Sequence, residues 1–78
     1  MRIEWTPAAR ALARRYLYDQ NGMRGIGAAV ARLADDPYPP EAFHHGEYHR
    51  LRVGPYRVIY FVDGDLITVE RVDRLTGT

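Results

Sequence analysis

The stretch from Tyr48 to Asp65 reads as two β-hairpins in succession, and nothing else in the chain restricts the fold as strongly. Val62-Asp63-Gly64-Asp65 predicts a tight turn centred on Asp63-Gly64, because a type I′ turn needs positive φ at both central positions and Asp-Gly tolerates that well. Val53-Gly54-Pro55-Tyr56 predicts a second tight turn, with the glycine first and the proline locked at negative φ. Two such turns fix the register of three strands. They set Arg52 directly across from Arg57, and Arg57 directly across from Glu70. Like charges directly opposed on a sheet repel each other. A sheet that keeps them calls for a compensating anion, either a neighbouring carboxylate or a bound phosphate.

The chain has 78 residues, which predicts a single domain over 1–78. At this size one core stabilises by only ~3–5 kcal/mol. No cysteine is present, so disulfides and thiolate zinc sites are excluded. A hydrophobic content of 46% argues for a globular fold over disorder. No apolar run approaches the ~20 residues of a membrane span, and the N-terminus lacks a signal-peptide pattern, so a cytoplasmic protein is expected. The net charge of +1 says little about partners, but all eleven basic residues are arginine. Every cation is therefore a planar fork suited to bidentate phosphate contact. Serine is absent as well, which removes any serine nucleophile.

Arg2 to Trp5 alternates as a first strand. Thr6-Pro7 then supplies a helix cap followed by proline at the first helical position. The first helix is expected to run to about Asp19, burying Ala9, Leu12, Ala13, Tyr16 and Leu17, with Asn21-Gly22 as a left-handed break. In the second helix Ile26, Ala29, Val30, Leu33 and Ala34 form one apolar stripe that ends before Pro37. The proline-rich segment from Pro37 to Gly46 reads as a loop anchored by Phe43. Strands follow over about 47–53, 56–62 and 66–73. The order β-α-α-β-β-β predicts an α+β fold in which a two-helix layer packs on one face of a mostly antiparallel sheet.

Alternation sorts the sheet residues. Leu51, Val53, Val58, Tyr60, Val62, Ile67 and Val69 form the face that meets the helices. Tyr48, Arg50, Arg52, Arg57, Ile59, Phe61, Leu66, Thr68, Glu70 and Val72 form the other, with Arg74 just beyond. One end of that outer face is basic and the other apolar. Leu75 to Thr78 is too short to cover the apolar end, which suits a partner segment. His44 and His45 are expected in the loop, and His49 at the core edge near Tyr60. Adjacent histidines point apart and no carboxylate or thiol stands at ligand spacing, so neither a metal nor another cofactor is expected.

With these residues placed, the chain resembles the RelE/ParE superfamily of toxins from type II toxin–antitoxin systems. The likeness runs from Ile3-Glu4-Trp5-Thr6-Pro7-Ala8-Ala9 through Leu33-Ala34-Asp35-Asp36-Pro37 to Tyr48-His49-Arg50-Leu51-Arg52-Val53-Gly54-Pro55-Tyr56-Arg57-Val58-Ile59-Tyr60. It closes with Val69-Glu70-Arg71-Val72-Asp73-Arg74. The resemblance implies two helices against an antiparallel sheet and, in the RelE branch, cleavage of mRNA in the ribosomal A site without a metal. There the ribose 2′-OH attacks the adjacent phosphate. Fixed guanidinium groups suit this step because negative charge grows on the phosphate oxygens. Carried over by position, Arg57 would clamp the phosphate, Arg50 would activate the hydroxyl or bind the backbone, and Arg74 would complete the clamp. Arg52 and Tyr48 would hold RNA.

The resemblance also implies a cognate antitoxin as partner, lying over the apolar end of the sheet or the helices, or pairing carboxylates with the arginines. Ribosome and mRNA would be the targets, with DNA met only through the antitoxin complex. Some features depart from the RelE pattern. Tyr48 stands where some members carry a basic residue, Val72-Asp73-Arg74 is a shortened motif, and no tyrosine follows Arg74. No general acid or base is identified. Two alternatives follow: a ParE-like inhibitor of DNA gyrase, and a catalytically impaired homologue that acts mainly by binding its antitoxin.

Overall fold

A computed structural model describes residues 1–75. The expectation placed on Leu75 to Thr78 as cover for the sheet falls mostly outside those residues. The chain forms β1 (Arg2–Trp5), α1 (Pro7–Arg14), α2 (Gln20–Arg32), β2 (Phe43–His45), β3 (Tyr48–Val53), β4 (Tyr56–Asp63) and β5 (Leu66–Arg74). Two helices pack on a five-stranded sheet of order β1-β5-β4-β3-β2. β1 runs parallel to β5 and the other neighbours are antiparallel. The fold is thus the expected α+β arrangement with one more short strand.

Local chemistry explains both helix starts. The Thr6 hydroxyl accepts from the Ala9 amide at 3.0 Å and Pro7 opens α1. The helix stops at Arg14, earlier than expected, because Asp19 serves as the cap of α2 and does not extend α1. Its Oδ1 accepts from the Gly22 amide at 3.0 Å, the kind of bond that stabilises a helix start by about 1 kcal/mol. Asn21-Gly22 is therefore helical, not a left-handed break, and Leu17 lies in the connecting turns, 61% exposed. Farther along, Ile26, Ala29, Val30 and Leu33 are buried as the stripe predicts. They meet Leu51, Val58, Tyr60, Ile67 and Val69 from the sheet. Burying each of the larger side chains contributes roughly 1.5–3 kcal/mol. The buried Tyr60 reaches through this layer, and its hydroxyl donates to the Pro37 carbonyl at 2.8 Å, which ties down the segment before β2. Burial pushes the Tyr60 phenol up to about 12.

All three hairpin turns share one form. Gly46, Gly54 and Gly64 each stand first in a two-residue turn with φ of +64°, +56° and +60°, and no other described residue has positive φ. The turn expected at Asp63-Gly64 accordingly sits one residue later. Asp63 pairs with Leu66, and Gly64-Asp65 forms the loop. A turn with glycine first needs positive φ once, so Asp63 is spared the left-handed region. The first of these turns, Gly46-Glu47, also creates β2 from part of the expected loop. Phe43 lies on this edge strand, 55% exposed, and does not anchor the core.

A bulge interrupts β5. Tyr60 pairs with Val69, whereas Ile59 pairs with Arg71, leaving Glu70 as the extra residue. Beyond the bulge the faces exchange: Val72 is fully buried in the core, not on the outer face. Together the later turn and the bulge bring Asp73, not Glu70, opposite Arg57.

Candidate nucleic-acid interface

Arg52 and Arg57 are cross-strand partners, as the Gly54-Pro55 turn requires. Their repulsion is relieved in two directions. The Arg52 Nε donates back to the Gly54 carbonyl at 2.7 Å. Arg57 instead leans toward Asp73, with its Nη2 3.8 Å from Oδ2. That carboxylate is mainly held by Arg71, whose Nη2 and Nε donate to it at 3.0 and 3.3 Å. The same bonds push the Arg71 guanidinium up from its ordinary value.

Arg50 and Arg57 come together on the outer face. They line a hollow of about 280 Å³ with His45, Tyr48 and Ile59, and an adjoining one of about 220 Å³ with Glu41, Phe43, Arg52 and Leu75. The Phe43 ring lies 4.6 Å from the Arg50 guanidinium carbon, so the exposed aromatic of β2 holds that side chain in place. The Nε atoms of Arg50 and Arg57 are buried and have no hydrogen-bond partner. A buried unsatisfied donor costs about 1–3 kcal/mol, more when charged. Two guanidinium groups lining one hollow make a position where an anion would be bound favourably.

Arg74 does not join them. The expected clamp of Arg50, Arg57 and Arg74 is divided because the bulge turns Arg74 to the helix side, where it pairs with Tyr56. Its Nη1 donates to the Tyr56 hydroxyl at 3.1 Å and lies 3.8 Å from the Asp19 Oδ2. Tyr56 in turn donates to that Asp19 oxygen at 2.7 Å. The hydrogen bond from Tyr56, the Gly22 amide and the Arg74 charge hold the Asp19 carboxyl below its ordinary value. Burial, followed by the bond to Asp19, pushes the Tyr56 phenol up. Arg74 is thus an internal brace, linking the end of β5 to the cap of α2.

The three histidines also divide by face. His44 and His49 are hydrogen-bonded through their Nδ1 atoms, and His49 is buried against Tyr60. Burial, then the neighbouring His44, holds the His49 imidazole below its ordinary value. His45 points the other way, into the arginine hollow, with its ring 5.7 Å from that of Tyr48. The sequence reading treated His45 as a loop residue. The signal that places it is Gly46-Glu47, which has the same glycine-first form as the other turns and sets His45 opposite Tyr48. Among the described residues, no group of three or more His, Asp and Glu side chains is placed to hold a metal ion.

A family profile described as the ParE toxin of the type II toxin–antitoxin system parDE matches residues 3–74. The chain belongs to the RelE/ParE superfamily of type II toxins. Solved structures with this toxin's fold include the chromosomal ParDE system of P. aeruginosa, at 19% identity and TM-score 0.74, covering 97% of each chain. The RelBE2 toxin–antitoxin complex of Mycobacterium tuberculosis aligns at 18% identity and TM-score 0.79, covering 94% of the toxin and 95% of its counterpart. A YoeB/ParE toxin from Agrobacterium tumefaciens aligns at 17% identity and TM-score 0.77, over 99% and 100%. No curated protein sequence matches significantly. Among the described residues, no helix of the toxin is long and apolar enough to cross a membrane.

What the outer face of the toxin can do follows from its donors. Guanidinium groups fixed by a ring and a ladder can hold a phosphodiester and stabilise charge that grows on it. The neighbouring Tyr48, packed edge-on to Phe61 at 5.7 Å, offers an aromatic surface of the kind on which a base can stack. Ile59 and Phe61 continue this face toward Ala8 and Leu12 of α1, which share a hollow with them.

Proposed function

We propose that this toxin inhibits translation as a ribosome-dependent mRNA endonuclease, working in the cytoplasm and held inactive by a cognate antitoxin. The observation that carries the reading is that Arg50 and Arg57, both only partly buried, line one hollow on the outer face. In the proposed reaction the ribose 2′-oxygen attacks the adjacent phosphorus and the bond to the 5′-oxygen breaks. A cyclic phosphate and a 5′-hydroxyl result. Arg57 holds the phosphate oxygens and Arg50 stabilises the charge that develops on them. Arg52 and Tyr48 guide the strand along β3. Arg74, assigned to the clamp by resemblance, here holds the fold and not the substrate.

The antitoxin's role is supported by the family and by relatives solved as complexes, among them RelBE2 and the DinJ–YafQ complex of E. coli. Carboxylates from such a partner would neutralise the arginine face, as Asp73 does in part within the chain.

The test is cleavage of mRNA on programmed ribosomes, with Arg57→Ala as the comparison. Wild type should cut and the variant should lose roughly 100-fold or more, the typical effect of removing one transition-state donor. Uncut mRNA with wild type would sink the activity, and full cutting by the variant would sink the role of Arg57.

A second reading is a ParE-like toxin that acts on DNA gyrase without cutting RNA. It is favoured by the matching profile and by the removal of Arg74 from the outer face. Inhibition of gyrase supercoiling by purified protein, with no cleavage on ribosomes, would select it.

A further inference from the structure

We infer that His45 is the proton-transfer group of the arginine hollow, taking the proton of the attacking 2′-hydroxyl. This rests on the nuclease reading above and supplies the element that reading lacked. Three observations converge on it. His45 lines the same hollow as Arg50 and Arg57, the two arginines assigned to the phosphate. It is exposed, so a substrate can reach it. Its position is fixed by the Gly46-Glu47 turn, which pairs it with Tyr48 on the neighbouring strand.

The other histidines are not available for this work, since His44 and His49 bond to each other on the opposite face. The groups facing His45 are Tyr48 and Arg50 from β3 and Arg57 from β4, and among the described residues no carboxylate lines this hollow. Of these side-chain types only imidazole changes charge between about pH 5 and 8.

The step balances as follows. The neutral imidazole takes the proton from the 2′-hydroxyl while the 2′-oxygen bonds to phosphorus. The phosphorus–O5′ bond breaks, and the leaving oxygen takes a proton from water. The imidazolium then returns its proton to the hydroxide formed. Arg50 and Arg57 hold the phosphate throughout and exchange no proton.

The experiment is single-turnover cleavage on programmed ribosomes over a range of pH, with wild type, His45→Ala and His45→Gln. Because His45 is exposed, both variants should keep the wild-type thermal melt. Both should lose roughly 100-fold or more in rate, the usual contribution of a positioned acid or base. They should also lose the acid limb of the wild-type pH profile, and added imidazole should restore part of the rate to His45→Ala. Affinity for an RNA with a 2′-deoxy residue at the cleavage position should be unchanged, since that probe reads binding alone. Cleavage by both variants at the wild-type rate and pH profile would overturn the role of His45 and leave the nuclease reading intact. A rate loss matched by an equal loss of affinity for the deoxy probe would also overturn it, making His45 a binding residue. Wild type that does not cut at any pH would overturn the nuclease reading itself, and this role with it.

Discussion

Asp73 stands between two arginines, bound to Arg71 at 3.0 Å and only approached by Arg57 at 3.8 Å. The carboxylate therefore tempers the positive charge of the outer face without closing off Arg57, whose side chain stays 34% exposed. Replacing Asp73 with Asn should leave both guanidiniums unneutralised and tighten binding of a single-stranded RNA oligonucleotide by roughly three- to tenfold at low salt. The salt dependence should steepen at the same time. Fluorescence anisotropy over a salt series measures both, and unchanged affinity would show that Asp73 does not tune this face.

Arg57 and Arg74 should separate cleanly by phenotype. Arg74→Ala removes the donor to the Tyr56 hydroxyl and the cation over its ring, so it should lower the melting temperature and leave RNA affinity unchanged. Arg57→Ala should do the reverse. Melting curves and anisotropy on the same two preparations decide it. A loss of RNA affinity on removing Arg74 would mean that it serves the outer face after all.

Two glycines of the same helix should respond with opposite sign. A Cβ on Gly22 would lie 2.3 Å from the Asp19 Oδ2 and 2.7 Å from the Tyr56 Cε2. Neither side chain can give way without straining the hydrogen bond from the Tyr56 hydroxyl to Asp19, so Gly22→Ala should destabilise by about 1–3 kcal/mol. Around Gly27 nothing lies within 4 Å. There Gly27→Ala should stabilise by about 0.5–1 kcal/mol through helix propensity alone. Urea unfolding of both variants measures the contrast.

Stability should fall in two steps as the solution is acidified. His49 is held below its ordinary 6.5 by burial and by His44, so the unfolded chain takes up its proton first. Its contribution is full above about pH 6.5 and is lost as pH falls toward the folded value. Asp19 is held below its ordinary 3.8, and by the same sign its contribution is lost only below about that pH. Thermal melts across this range should show both declines. His49→Phe should flatten the upper one, and Asp19→Asn the lower.

Features that rest on a local backbone demand were legible in the sequence. Gly54-Pro55 admits one tight turn, and the opposition of Arg52 and Arg57 followed from it. The apolar stripe of α2 identified its buried face in the same way. What escaped was set by competition or by distance. Asp19 was claimed by the next helix as its cap, which no periodicity shows. The bulge at Glu70 leaves an ordinary alternating strand on either side, so nothing local marks where the faces exchange. The arginine face was therefore half legible: Arg50, Arg52 and Arg57 precede the bulge's influence, and Arg74 follows it.

The extra residue at Glu70 gives β5 two masters. Before it the strand's parity is set by the Gly64 turn; after it the parity is set by what the helices require. Every residue downstream is assigned to a face by a count of one. Were Glu70 paired with Ile59 in a regular ladder, Arg74 would turn toward the arginine hollow and Arg71 and Asp73 would turn inward, at the expense of the brace on Asp19, whereas deleting Glu70 would leave each of them on its present face. One step of register thus stands between a toxin whose last arginine secures its fold and one whose last arginine would stand on its outer face.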